Sequence, residues 1–266
     1  MTLTIHYNSH LPKELIVERV RGQLVRKEVS KVALGFLPTE YTSDQNSQEA
    51  LQKTEELLQE GYGIVVLYNH FSKSDHIRTL ARLVLDVPTV SKRPILSPVG
   101  IHQHNWYLKL LGKGTNVKLM PIVTPNTRAE HPEKIPSIRP GAEMAREYLS
   151  KARQTLSAGG VLLLAPQAER KATLGKPLNG KPVKRILKNY ANDMVAFLFA
   201  GLQIPGETDY STASVRGLNR GREFLINLSG PLIKSMLLEL SNYDLNQVDR
   251  VVFEHLRPLV SPAYLD

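Results

Sequence analysis

Strands alternating with helices along most of the chain predict an α/β fold: a mainly parallel sheet flanked by helices, with N-terminal helices preceding the first strand. Two stretches carry this expectation. Gly63 to Tyr68 (GIVVLY) is a continuous apolar run rich in β-branched residues, the composition of a strand buried on both faces. Ala145, Tyr148, Leu149, Ala152 and Leu156 form one apolar stripe at helical spacing, between two later strands.

Taken in order, Leu11 to about Phe36 shows apolar residues at helical spacing (Ile16, Val20, Leu24, then Val25, Val29, Val32) with basic residues between them. A second helix starts near Ser47, with Leu51, Thr54 and Leu58 on one face and Gly61 as its stop. After the GIVVLY strand, Ile77, Leu80, Ala81 and Val84 mark another helix. Further strands are expected at Arg93 to Ser97, Lys118 to Thr124, Gly160 to Ala165 and Glu223 to Leu228, and a last helix from about Asp244 to Leu256 turns Val248, Val251 and Val252 inward. This divides the chain into a helical segment, 1–60, and an α/β domain, 61–266.

The 266 residues suffice for a full core, and the absence of cysteine excludes disulfides, zinc–thiolate sites and a cysteine nucleophile together. The opening residues lack the apolar core of a secretory signal. The longest charge-free stretch, Gln154 to Ala168, falls short of the roughly 20 apolar residues of a membrane-spanning helix. The expectation is a cytoplasmic protein, soluble or peripheral at a membrane. A net charge of +9 favours an anionic partner: nucleic acid, a phosphate-bearing substrate or an anionic lipid surface met by the basic residues of Lys13 to Lys31. The basic residues are interleaved with acidic ones and accompany no recognised nucleic-acid motif, so nucleic acid is not expected.

Binding sites in open α/β sheets form beyond the carboxyl ends of the strands. Two polar clusters fall there: NHFSKSD (Asn69 to Asp75) and PQAERK (Pro166 to Lys171). His70 and Asp75 would lie about 140° apart on a continuous helix, so the segment has to turn. With Ser72 as N-cap, Asp75 is the third residue of a capping box; with Ser74 as N-cap it lies in the first turn. Two readings stay open on spacing alone. The pair is either a histidine base oriented by a carboxylate, or a loop histidine followed by a helix-capping aspartate.

Asn-His-x4-Asp after a buried strand resembles the first signature block of the glycerolipid acyltransferases, the glycerol-3-phosphate and lysophosphatidic acid acyltransferases. GGVLLLAPQAER resembles that family's third block, a strand followed by Phe-Pro-Glu-Gly-Thr-Arg; Pro166 and Arg170 match it, whereas Gln167, Ala168 and Glu169 do not. The Ala-Pro-x-x-x-Arg arrangement and the N-terminal helices look like the soluble chloroplast branch. The resemblance implies an O-acyltransferase in which His70 deprotonates an acceptor hydroxyl that attacks an acyl thioester, with Asp75 orienting His70. It implies Arg170, Lys171 and Arg128 around the acceptor's phosphate, and Asn69, Gln167 and Pro166 as supporting or substrate-binding residues. Pro205 in GLQIPG corresponds to the proline of the fourth block. The partners so implied are an acyl-CoA or acyl-carrier-protein thioester and a phosphorylated glycerol or lysophospholipid acceptor, with no cofactor and no metal.

Rival motifs fall away. GKGT (Gly112 to Thr115) lacks the glycine that a phosphate loop needs five residues before its Gly-Lys pair, a place held by Tyr107. No Gly-x-Ser-x-Gly elbow occurs. His102 and His104 have no evident third metal ligand. The alternative to the enzyme is a non-catalytic lipid- or acyl-thioester-binding protein on the same scaffold.

Overall fold

The computed structural model describes residues 44–100, 116–123, 128, 132–135, 141–167, 171–175, 181–190, 193–217 and 222–265. The helix expected over Leu11 to Phe36, His102, His104, the GKGT segment and Arg170 lie outside them. Helix α1 (Gln45–Gln59) starts at Asp44, whose carboxylate accepts the Ser47 amide at 2.7 Å, and ends at Gly61, where φ is +93°. Such a φ is open to glycine and strained for other residues. Leu51, Thr54 and Leu58 are buried as the periodicity requires, and α1 packs on the sheet as part of the common core.

Strand β1 (Gly63–Tyr68) is buried at every position. It feeds through the NHFSKSD turn into α2 (Asp75–Asp86), then a 3-10 segment (Pro88–Lys92) and β2 (Ile95–Gly100). Next come β3 (Val117–Ile122), α3 (Gly141–Ser157), β4 (Val161–Leu164), α4 (Lys181–Asn189), β5 (Val195–Gln203), the short α5 (Ala213–Arg216), β6 (Leu225–Ile233), α6 (Lys234–Leu240) and α7 (Val248–Leu256). On α3, Tyr148, Ala152 and Leu156 are buried; on α7, Val248, Val251 and Val252 are.

The six strands form one sheet in the order β3-β2-β4-β1-β5-β6, parallel except for β6. The fold is therefore α/β as expected. Because the chain moves toward β3 after β1 and back toward β5 after β3, right-handed crossovers put α2 on one face and α3 and α4 on the other. Strand β2 runs past the expected Ser97 to Gly100. Its Pro98 lies beyond the last rung shared with β4, at Leu96, so the missing N–H removes nothing from that ladder. Strand β5 and helices α4 and α6 go beyond the elements expected from sequence; β5 pairs with β1 over six residues and lies between β1 and β6.

The order places β1 and β4 side by side in register, Leu67 beside Leu164. The NHFSKSD and PQAERK clusters thus emerge from neighbouring strands on the same edge of the sheet.

Candidate active site

The turn after β1 is wrapped around one carboxylate. Asp75 is fully buried, and its Oδ2 accepts the amides of Phe71 (2.8 Å) and Ser72 (2.7 Å), while Oδ1 accepts the Ser72 hydroxyl. Helix α2 begins at Asp75 with Ser74 in the N-cap position, and the Ser74 side chain makes no capping bond. The bond from the Ser72 amide to Asp75 is nonetheless one half of a capping box closed on Ser72. The chain uses the carboxylate to pull the loop back rather than only to cap the helix.

The remaining partner of Asp75 Oδ2 is His70 Nδ1, at 3.1 Å. A carboxylate only accepts, so Nδ1 carries the proton and Nε2 keeps its lone pair. The His70 side chain is 15% exposed against none for Asp75. Nε2 has no partner among the described residues. Tyr68 meets the imidazole edge-on, with ring centroids 5.9 Å apart, and burial holds the Tyr68 hydroxyl protonated. Next to Asp75, the His76 imidazole is pushed down to about 4 by burial first and by the electrostatics of nearby His70 second, with Asp75 opposing. It is neutral at pH 7, and its Nε2 is buried without a hydrogen-bond partner.

Gln167 joins the two clusters. Buried at 6% exposure, it accepts the His70 amide through Oε1 at 2.7 Å and donates through Nε2 to the Thr173 carbonyl (2.9 Å) and the Tyr264 hydroxyl (3.0 Å). A glutamate could accept from His70 but could not donate to Thr173. Gln167 therefore stands where the site uses donor and acceptor on one side chain. The Lys171 amide closes the junction from the other side by donating to the His70 carbonyl at 2.9 Å.

Asn69 is fully buried, and both ends of its amide serve the Leu202 backbone: Nδ2 donates to the carbonyl at 2.9 Å and Oδ1 accepts the amide at 2.6 Å. Its role is to support. Pro166 is buried in the turn after β4, and Lys171 is exposed beside it. Arg128 is exposed and lies against Gly141 at the start of α3. It stands beyond β3, three strands from β1, on the order of 14 Å by strand spacing. Pro205 follows the end of β5.

Three residues of the cluster escape the sequence patterns. Ser72 carries a readable signal as a cap candidate, but its hydroxyl bond to Asp75 is legible only in three dimensions. His76 falls within the helical run, where nothing marks it. Tyr264 lies 97 residues beyond Gln167 with no local motif.

Among the described residues no group of three or more histidines and carboxylates could hold a metal ion, and no helix is long and apolar enough to cross a membrane. No family model matches the chain, and no curated protein matches it.

Proposed function

We propose that the protein is an O-acyltransferase that moves an acyl group from a thioester to the hydroxyl of a phosphorylated glycerol or a lysophospholipid, with His70 as general base. The observation that supports this most is the His70 ring itself. Its Nδ1 is tied to a buried carboxylate while Nε2 has no partner among the described residues, at the carboxyl edge of the central strand. A tethered, partly exposed imidazole with its second nitrogen open is arranged to accept a proton.

In the proposed reaction Nε2 takes the acceptor's hydroxyl proton as the oxygen attacks the thioester carbonyl. Asp75 stabilises the imidazolium that forms. The C–S bond then breaks, and the thiolate takes the proton from Nε2, so the products are ester and free thiol. Lys171, beside the His70 carbonyl, and Arg170 are the cations proposed to hold the acceptor's phosphate. The resemblance of NHFSKSD and of Pro166 with Arg170 to the glycerolipid acyltransferase blocks points to the same chemistry.

Thiol release from one acyl thioester, measured against glycerol 3-phosphate, a lysophospholipid and a plain alcohol, tests the reading. Turnover is expected with a phosphorylated acceptor, and His70→Ala should lower it roughly 10²- to 10⁴-fold with the fold intact. Saturable binding of the thioester with no thiol release from any acceptor would favour the non-catalytic binding protein.

A further inference from the structure

The last residues of the chain reach the same loop from outside the sheet. After α7, two 3-10 turns (Arg257–Leu259 and Pro262–Tyr264) carry the chain back over β5 and β6. Leu259 lies so close to Gly201 that any side chain there would strike its backbone, and the Leu259 carbonyl accepts Asn227 Nδ2 at 2.9 Å. Tyr264 is thereby delivered, fully buried, to the site. Its carbonyl accepts the Leu174 amide at 2.6 Å, and its ring packs on Phe71 and Tyr210 with centroids 5.5 and 5.0 Å away.

Two of these contacts bear on His70. Phe71 is the next residue along the backbone. Gln167, whose Nε2 donates to the Tyr264 hydroxyl, is the acceptor of the His70 amide. An amide side chain can sit in either of two orientations, and its partners choose between them. The Thr173 carbonyl can only accept, so it sets Nε2 on its side and Oε1 toward the His70 N–H, and the Tyr264 hydroxyl, 3.0 Å from Nε2 and 3.3 Å from Oε1, anchors the amide in that orientation. A buried polar group left unpaired is costly, so the hydroxyl has leverage on the amide and the amide on the histidine backbone.

We propose that Tyr264 is a positioning residue for His70, and that the C-terminal turn is a built-in brace setting the height of the base above the end of β1. The catalytic part of this inference rests on the acyl-transfer reading above; the mechanical part does not. The test compares wild type, Tyr264→Phe, Gln167→Met and the double variant in the full-length chain. Tyr264→Phe keeps the ring against Phe71 and Tyr210 and removes only the hydroxyl.

The expected result is faster hydrogen exchange at the His70 amide and a three- to tenfold lower kcat, roughly the size of one hydrogen bond, with KM for both substrates unchanged. The double variant should be no worse than Gln167→Met alone, because both changes act through one chain of bonds. Unchanged exchange at His70 would overturn the proposal, as would an increase shared equally by all core amides or additive losses in the double variant. Should wild type transfer no acyl group at all, the acyl-transfer reading fails, and the exchange data still decide whether Tyr264 braces the loop.

Discussion

His70–Asp75 and Lys234–Asp193 both pair a nitrogen side chain with a carboxylate at edges of the same sheet, and they are built in opposite senses. At the carboxyl edge the carboxylate is the buried member and the histidine the partly open one, 0% against 15% exposed. At the amino edge the lysine is buried, its side chain 9% exposed, and the aspartate is 83% exposed. Lys234 Nζ is also closed by the Tyr190 carbonyl at 2.7 Å. The amino-edge pair spends its hydrogen bonds inside the protein and functions as a staple between α6 and the start of β5. The carboxyl-edge pair fixes one ring nitrogen and leaves the other without a partner among the described residues. On the acyl-transfer reading proposed above, which partner is buried, rather than the presence of a pair, separates a structural contact from a chemical one.

Substituting the two aspartates should give the largest contrast. Asp75→Asn introduces donors where the Phe71 and Ser72 amides and His70 Nδ1–H need an acceptor. We expect a loss of kcat on the order of 10³- to 10⁴-fold and about 2 kcal/mol of stability, read from initial rates and urea unfolding. Asp193→Asn, at an exposed position, should leave both unchanged. Equal effects would erase the distinction.

A pH series sharpens the comparison next. His76 stays neutral when folded down to about 4, whereas an unfolded histidine takes its proton near 6.5. The unfolded state therefore binds more protons between these values, and stability should fall as the pH drops through that window, by roughly 1–3 kcal/mol. Unfolding of His76→Leu should lose this part of the slope. An unaltered slope would remove His76 from the account.

Gln167→Glu tests the junction. The new carboxyl is buried facing the Thr173 carbonyl, which raises its folded pKa above the unfolded value of about 4.3. Relative to wild type at each pH, the variant should be least impaired at low pH, where a protonated carboxyl can donate, and lose roughly 1–2 kcal/mol as pH rises through the folded pKa. A penalty independent of pH would mean that Thr173 needs no donor. The smallest effect should come from Lys234→Met: about 1 kcal/mol lower stability in urea unfolding, from the unpaired Tyr190 carbonyl, with kcat unchanged.

The parallel sheet was legible because GIVVLY and GGVLLLA carry the composition of doubly covered strands, and the edge holding both polar clusters followed from their shared direction. The His70–Asp75 contact was legible only as one of two readings. In the structure the same carboxylate makes that contact and takes the Phe71 and Ser72 amides, whose directions depend on how the loop closes. Strand β5 should have been found: VAFLFAGLQ satisfies the rule that identified β1, and its neighbours GLQIPG drew attention as a motif instead. Arg128 was expected beside the acceptor's phosphate with Arg170 and Lys171, and strand order, which no local pattern encodes, sets the end of β3 three strands from β1. Gln167 was read as a substituted glutamate, and its second role depends on Thr173 and Tyr264, contacts made by tertiary folding.

Asn69 continues the β1–β5 ladder after the backbone has left it. The last rung pairs Tyr68 with Ala200, and the side-chain amide of Asn69 then presents Leu202 with a donor and an acceptor, imitating a peptide unit. Aspartate lacks the donor, glutamine overshoots by a methylene, and serine cannot span the gap. In a saturation scan scored for folded protein, position 69 should admit almost no replacement, while exposed Lys73 four residues later accepts many. For anyone grafting the NHFSKSD turn onto another sheet, the asparagine would have to travel with the histidine, because it lets the strand release the loop without leaving a ragged end.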